Sequence, residues 1–163
     1  MKNAIVSNTG PLVALAVIDK LEILSHLFDQ ILVPNAVHLE LLEGGKNHSG
    51  VSTYEKNQLI KVRKLIEPLN PLLDSVLDTG EASVIQLAKE NNIDLVLIDE
   101  RKGRKIAREV YNLRVIGSAR ILVEAKHKGY LESVEKEIVA MRQHGYWLHD
   151  KIVDIILKEA GER

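Results

Sequence analysis

Short runs of Val, Ile and Leu recur along the chain, and longer stretches with helical spacing of apolar residues separate them. Four runs, at residues 4–6, 31–33, 95–98 and 114–116, are typical of strands that are buried on both faces of a parallel sheet. A fifth segment, residues 60–65, alternates apolar with charged side chains and predicts an outer strand. The pattern therefore predicts a sheet of four to five strands.

The stretches between these strands have the spacing of amphipathic helices. Residues 11–27 predict two consecutive short helices, and Asn35 is in the position of an N-cap for a helix that carries Val37 and Leu41. The polar and glycine-rich residues 43–52 predict a loop near the edge of the sheet. Further helices are predicted at residues 80–91, 101–110, 118–128, 132–144 and 150–160.

Strands that alternate with helices imply right-handed crossovers and a mainly parallel sheet with helices on both faces, which is an α/β fold of three layers. No internal repeat or low-complexity linker divides the chain. We therefore predict a single domain over residues 1–163, with the helical pair at about 132–160 packed on it. In such a sheet the active site lies at the carboxyl ends of the strands.

The composition narrows the classes of function. The chain has 163 residues, of which 22 are basic and 23 acidic, so a basic coat for nucleic acid is excluded and any polyanion must meet a local basic patch or a metal ion. The absence of Cys excludes disulfides and thiolate chemistry, and the aromatic share of 4% argues against base-stacking platforms. No apolar run is long enough for a signal peptide or a membrane span, so we expect a cytoplasmic protein with no membrane partner.

Acidic side chains follow the predicted strands or begin the helices beside them. Glu40 lies on the helix after the second strand, Glu81 near the start of the helix at 80–91, and Asp99 directly after the strand at 95–98. Carboxylates that converge at one sheet edge raise one another's pKa unless a cation neutralises them. Because all-oxygen ligands select Mg²⁺ or Mn²⁺ over zinc, we predict a metal site that serves phosphodiester hydrolysis.

Each of these residues also has a structural interpretation. Asp78-x-x-Glu81 has the pattern of a capping box, and Asp99 is placed to cap the helix that follows it. Glu40 on its own is typical of the solvated side of a helix, and Asn8 before Thr9-Gly10-Pro11 is typical of a turn that leads into a helix. Only the joint placement of the acidic residues favours the metal site.

A basic run follows Asp99 and Glu100 directly. Such a run is typical of a solvated helix face, and next to a metal site it would hold phosphates. We assign substrate binding to Thr9 and to the residues of this run, which are Arg101, Lys102, Arg104 and Lys105, continued by Arg108. The sequence contains neither of the common Gly-rich nucleotide-binding motifs, and its histidines have no zinc-ligand spacing.

Four motifs, in order along the chain, resemble those of the PIN-domain family, and the first resembles its VapC-like branch in particular. They are Ser7-Asn8-Thr9-Gly10-Pro11-Leu12, Val33-Pro34-x-x-Val37-x-x-Glu40-Leu41, Gly80-Glu81-Ala82-x-x-Ile85 and Leu97-Ile98-Asp99-Glu100-Arg101-x-Gly103-Arg104. Two later segments, Val115-Ile116-Gly117 and Gly145-Tyr146-Trp147-Leu148, are similar to later motifs of that branch. The resemblance covers nearly the whole chain.

This resemblance implies a PIN-like fold and an acidic ribonuclease site that uses Mg²⁺ or Mn²⁺. By position, Asn8 matches the first acidic residue of the family, Glu40 the second, Glu81 the third and Asp99 the fourth, with Glu100 as a substitute for Asp99. We assign the four matching residues as catalytic and as metal ligands. The resemblance also implies RNA as the substrate, the role of a toxin that an antitoxin protein silences, and a homodimer.

Asn8 is the position at which the chain departs from the family pattern. Its neutral amide lends an oxygen to a cation but no charge, which weakens Mg²⁺ binding. Two interpretations therefore stay open: an active metal-dependent endoribonuclease, and a nuclease-inactive PIN scaffold that binds RNA or a protein partner. A phosphatase with a carboxylate nucleophile after the first strand is less favoured, because Asn8 has no carboxylate.

Overall fold

The computed structural model describes residues 3–44 and 50–163 and contains a five-stranded sheet in which every strand pair is parallel. The strands are β1 (Ala4–Ser7), β2 (Gln30–Pro34), β3 (Ile60–Arg63), β4 (Leu95–Leu97) and β5 (Arg114–Ile116). Their spatial order is β3-β2-β1-β4-β5, so the predicted outer strand, β3, is at one edge. The predicted α/β fold with a mainly parallel sheet is confirmed.

Helices connect the strands and cover the sheet. The helices in the described part of the chain are α1 (Thr9–Val17), α2 (Ile23–Leu27), α3 (Asn35–Gly44), α4 (Gly50–Lys56), α5 (Pro71–Val76), α6 (Thr79–Glu90), α7 (Arg101–Glu109), α8 (Ser118–His127), α9 (Val134–Gln143) and α10 (Asp150–Glu159). None of the helices in residues 3–44 and 50–163 has the length and apolar character needed to cross a bilayer.

Two local predictions from the sequence are wrong. Asn35 is not an N-cap, because α3 already includes it as its first residue. The loop predicted at residues 43–52 is also wrong at both ends, since α3 runs to Gly44 and α4 begins at Gly50, while residues 45–49 lie outside the described part of the chain. The glycines and polar residues of this segment are typical of a loop, so the sequence pattern did not indicate the helical ends. Helices α4 and α5 were not predicted.

The chain order places a crevice between β1 and β4. From β1 the chain moves outward through β2 to β3, and it then returns to the other side of β1 to form β4 and β5. Ser7 pairs with Leu97, and the N–H of Asn8 donates to the carbonyl of Leu97 at 3.0 Å. Asn8 and the residues after β4 therefore lie side by side at the carboxyl edge, where the two halves of such a sheet diverge and ligands bind.

The core is aliphatic and lies on both faces of the sheet. Ile5, Val6, Leu32 and Val96 on the central strands are all buried, because helices cover both sides of them. Each such side chain contributes roughly 1.5–3 kcal/mol through its removal from water. Buried residues of α9 and α10 join the same core, and these two helices pack on α8.

Glu162 fastens the end of the chain to α8 and α9. Its Oε2 accepts hydrogen bonds from the Val134 N–H at 2.7 Å and from Lys126 Nζ at 2.9 Å, and its Oε1 accepts from the Glu135 N–H at 3.0 Å. Burial opposes the ionised form, but the Lys126 ammonium and the two backbone N–H groups outweigh it and lower the pKa of Glu162 to about 2. The carboxylate of Glu162 therefore holds the end of α10 against α8 and α9, in addition to the apolar contacts between these helices.

Candidate functional site

A cleft of about 940 Å³ opens at the carboxyl edge of the sheet, at the crevice between β1 and β4. All four residues predicted to be catalytic, Asn8, Glu40, Glu81 and Asp99, line it. They come from four separate parts of the fold: the end of β1, the middle of α3, the first turn of α6 and the end of β4. The topology therefore brings together side chains that are distant along the chain.

Three side-chain oxygens converge on Gly80 at one side of this cleft. A Cβ added to Gly80 would lie 2.9 Å from Glu40 Oε2, 3.4 Å from Asn8 Oδ1 and 3.5 Å from Asp78 Oδ1. Asn8 is the N-cap residue of α1, yet its side chain makes no capping hydrogen bond, so its amide oxygen is available to the cleft. Thr9, predicted to bind substrate, lines the cleft and donates its Oγ1 hydroxyl to Glu40 Oε2 at 2.9 Å.

Glu81 is the most deeply buried acidic group of the cleft, with 5% of its surface exposed. Asp78 is the N-cap of α6 and accepts the Glu81 N–H at 2.7 Å, which confirms the first half of the predicted capping box. Among the described residues, the Oε2 of Glu81 is buried and has no hydrogen-bond partner. This oxygen comes so close to α7 that a Cβ at Gly103 would lie 2.5 Å from it.

The surroundings of Glu81 favour its neutral form. Burial raises its pKa from the usual 4.5 to about 7, and a hydrogen bond from the protonated carboxyl to Asp78 and the negative charges of Asp78 and Glu100 act in the same direction. A hydrogen bond with the Asp78 backbone opposes them but does not outweigh them. The protein therefore compensates the ionised form only in part, and a cation beside Oε2 would supply the rest of the compensation.

Asp99 lies at the other side of the cleft and is held by three donors. Its Oδ1 accepts the Ser118 N–H at 2.7 Å, and its Oδ2 accepts the Ser118 hydroxyl at 2.8 Å together with the Tyr146 hydroxyl. Asp99 does not cap the helix that follows it, because the N-cap residue of α7 is Glu100. It caps α8 instead, whose own N-cap residue, Gly117, has no side chain.

The phenol of Tyr146 stays protonated beside this carboxylate. Burial and the charge of Asp99 raise the pKa of Tyr146 far above its usual range, so the hydroxyl remains a donor at physiological pH. Tyr146 comes from the segment between α9 and α10. The sequence showed it only within a late motif to which no role could be given, and Ser118 was not singled out at all.

The predicted basic run is divided between the cleft and the outer surface. Lys102 and Arg104 line the cleft, and Arg104 donates to the carbonyl of Ile98 at 2.8 Å. Arg101 and Lys105 are exposed and do not line it. Arg120 also lines the cleft and was missed, because nothing in its local sequence marks it. Two members of the run therefore line the cleft together with Arg120, which is paired with Glu159 at 2.6 Å.

A protein-family model described as PIN domain matches residues 4–162. The chain belongs to the PIN-domain family. A search of curated proteins finds no match. The family carries nuclease-type function, its members generally depend on a divalent metal, and PIN nucleases bind RNA. The four-motif resemblance is thus confirmed at the level of the family.

The donors of this PIN domain fit a divalent cation, although its carboxylates stand apart. Among residues 3–44 and 50–163, no three Asp, Glu, His or Cys side chains are close enough together to hold a metal ion. The reason is visible in their hydrogen bonds, since Glu40 is turned to Thr9 and Asp99 to Ser118 and Tyr146. The partnerless Oε2 of Glu81 and the all-oxygen donor set nevertheless match what Mg²⁺ and Mn²⁺ require.

Proposed function

We propose that this PIN domain is an endoribonuclease of the VapC-like branch that requires Mg²⁺ or Mn²⁺ and cleaves single-stranded or structured RNA. The observation that carries the proposal is the buried carboxylate of Glu81, whose Oε2 has no partner among the described residues and whose pKa is raised to about 7. Buried acids that lack a hydrogen-bond partner are found at functional clefts, where a bound ligand supplies the charge or hydrogen bond that stabilises the carboxylate.

The residues have separate roles in this proposal. Glu40, Glu81 and Asp99 would hold the cation, and Asn8 would use its neutral amide oxygen to orient the cation or its water. The chemistry that a bound cation supplies is the polarisation of a phosphodiester and the activation of a water molecule. Lys102 and Arg104 line the cleft beside these acids, where they bind the flanking phosphates of the strand.

The biological setting extends the same proposal. We assign the chain as a cytoplasmic toxin that an antitoxin protein silences, acting as a homodimer in which each copy is a single domain over residues 1–163. The family resemblance supports this assignment. Light scattering of the purified protein tests the dimer, and arrest of bacterial growth on expression, relieved by Glu81→Gln, tests the toxin role.

Cleavage of RNA tests the enzymatic proposal. Purified protein with a fluorescently labelled single-stranded RNA should cut it when Mn²⁺ is added and should not cut it in a chelator. Glu81→Gln should abolish the cleavage, whereas Glu109→Gln, an equivalent change at an exposed position of α7 outside the cleft, should leave it unchanged. Equal activity in the Glu81 variant would contradict the assignment.

A nuclease-inactive scaffold is the second candidate, and two observations favour it. Asn8 is neutral where the family pattern has a carboxylate, and Asp99 is already held by three protein donors. Titration calorimetry with Mn²⁺ separates the candidates, because the scaffold predicts no binding in the millimolar range. In that case Asn8→Asp should introduce Mn²⁺ binding, because the affinity of such a site for a divalent cation rises with the number of negatively charged ligands.

A further inference from the structure

Tyr146 contacts Asp99 from a segment that lies 47 positions later in the chain. The segment between α9 and α10 carries Tyr146 into the cleft, where the residue is partly buried and its hydroxyl donates to Asp99 Oδ2. Its neighbours in sequence, Trp147 and Leu148, line the same cleft. The C-terminal helical pair therefore contributes to the wall of the site and does more than cover the sheet.

The hydrogen bonds of Asp99 leave little freedom for its carboxylate. Each carboxylate oxygen has two acceptor positions. Ser118 and Tyr146 fill both positions of Oδ2, and the Ser118 N–H fills one position of Oδ1. The group is consequently fixed in its plane, with a single acceptor position left on Oδ1.

Gly10 leaves the room that the Tyr146 hydroxyl occupies beside α1. A Cβ added to Gly10 would lie 3.2 Å from the Tyr146 hydroxyl oxygen, a distance at which the tyrosine would have to move by a few tenths of an ångström. Gly10 lies in the first turn of α1, two residues after Asn8. The position of the hydroxyl is thus set between α1 and the end of β4.

We propose that Tyr146 is a positioning residue that presents Asp99 to the divalent cation in one orientation. The proposal rests on the proposed function, in which Asp99 is a metal ligand. Removal of the hydroxyl frees an acceptor position on Oδ2 and lets the carboxylate of Asp99 rotate. The ion must then fix the orientation of the carboxylate when it binds, and this cost lowers the affinity. Hydrogen bonds of this kind to ligating carboxylates typically change metal affinity by roughly 10–100-fold.

The test is the Mn²⁺ dissociation constant of the full chain, measured by calorimetry and by the electron paramagnetic resonance signal of free Mn²⁺. Tyr146→Phe should weaken binding by roughly 10–100-fold. Gly10→Ala keeps the hydroxyl but displaces it, and should weaken binding less. The matched control is Tyr54→Phe. It removes a tyrosine hydroxyl that forms a hydrogen bond with His38, and neither residue lines the cleft. It should lower the melting temperature of the metal-free protein but not the affinity for Mn²⁺.

The outcomes separate this proposal from the one it rests on. If the wild type binds no Mn²⁺, the metal site and the role of Tyr146 are both wrong. If the wild type binds and Glu81→Gln does not, the metal site stands, and unchanged or tighter binding by Tyr146→Phe overturns the positioning role alone. If Tyr146→Phe does not fold, the Mn²⁺ dissociation constant of Gly10→Ala is compared with that of the wild type, and unchanged or tighter binding overturns the positioning role.

Discussion

Replacement of Glu81 by Gln should make the metal-free protein more stable at alkaline pH while it removes metal binding. Glu81 is 5% exposed, and the charges that raise the pKa of its carboxyl, those of Asp78 and Glu100, are both negative. The difference between the usual glutamate pKa of 4.5 and about 7 corresponds to about 3 kcal/mol, at about 1.4 kcal/mol for each pH unit. Because Asp78 shares part of this effect, the figure is an upper value for the gain.

The pH window follows from the direction of the pKa change. The folded protein holds the proton of Glu81 more tightly than the unfolded chain does, so its free energy of unfolding falls as the pH rises from 4.5 to about 7. The Gln variant has no such proton. The stability of the variant relative to wild type should therefore rise across this window and stay constant above it.

Urea unfolding in a chelator, at intervals from pH 4.5 to pH 8.5, measures the difference directly. Asp78→Asn is the matched control, because Asn also caps a helix but removes the charge that helps to raise the pKa of Glu81. In that background the gain from Glu81→Gln should shrink. A stability difference that does not change with pH, or a loss at pH 8, would refute the reasoning.

Three other changes test separate parts of the structure. Glu162→Gln should lower the free energy of unfolding at pH 7 by up to about 3 kcal/mol, and the difference should disappear as the pH falls from 4.5 towards 2, which an acid titration of stability would show. Gly117→Ala should weaken Mn²⁺ binding and cost roughly 1–3 kcal/mol of stability, because a Cβ there would lie 2.6 Å from Asp99 Oδ1; calorimetry and urea unfolding measure the two effects. Lys102→Ala should reduce the salt dependence of RNA binding by a slope of roughly 0.7 for each lost phosphate contact, whereas Arg101→Ala, outside the cleft, should change it less.

The sheet and the rough position of the site could be predicted because they depend on local patterns. Runs such as residues 31–33 and 95–98 are apolar throughout, a pattern typical of strands that are covered on both faces. Parallel strands then place the residues after β1 and β4 at one edge, so Asn8 and Asp99 could be assigned to the same cleft.

The contacts that decide how the site behaves depend on distant partners. Tyr146 is separated from Asp99 by 47 positions, and no periodicity in the sequence links the two. The same holds for Gly103, whose missing side chain makes room for Glu81 Oε2 from another helix. A sequence pattern shows which residues reach an edge of the sheet, but not which hydrogen bonds they make there.

The most direct test of the account is a crystal of the wild-type protein soaked in Mn²⁺ and measured at a wavelength where manganese scatters anomalously. We expect one strong anomalous peak in the cleft, roughly 2 Å from carboxylate oxygens of Glu40, Glu81 and Asp99, with Asn8 Oδ1 facing it. In a crystal of Glu81→Gln the peak should be lost. Absence of the peak from the wild-type cleft at saturating Mn²⁺ would contradict the central claim.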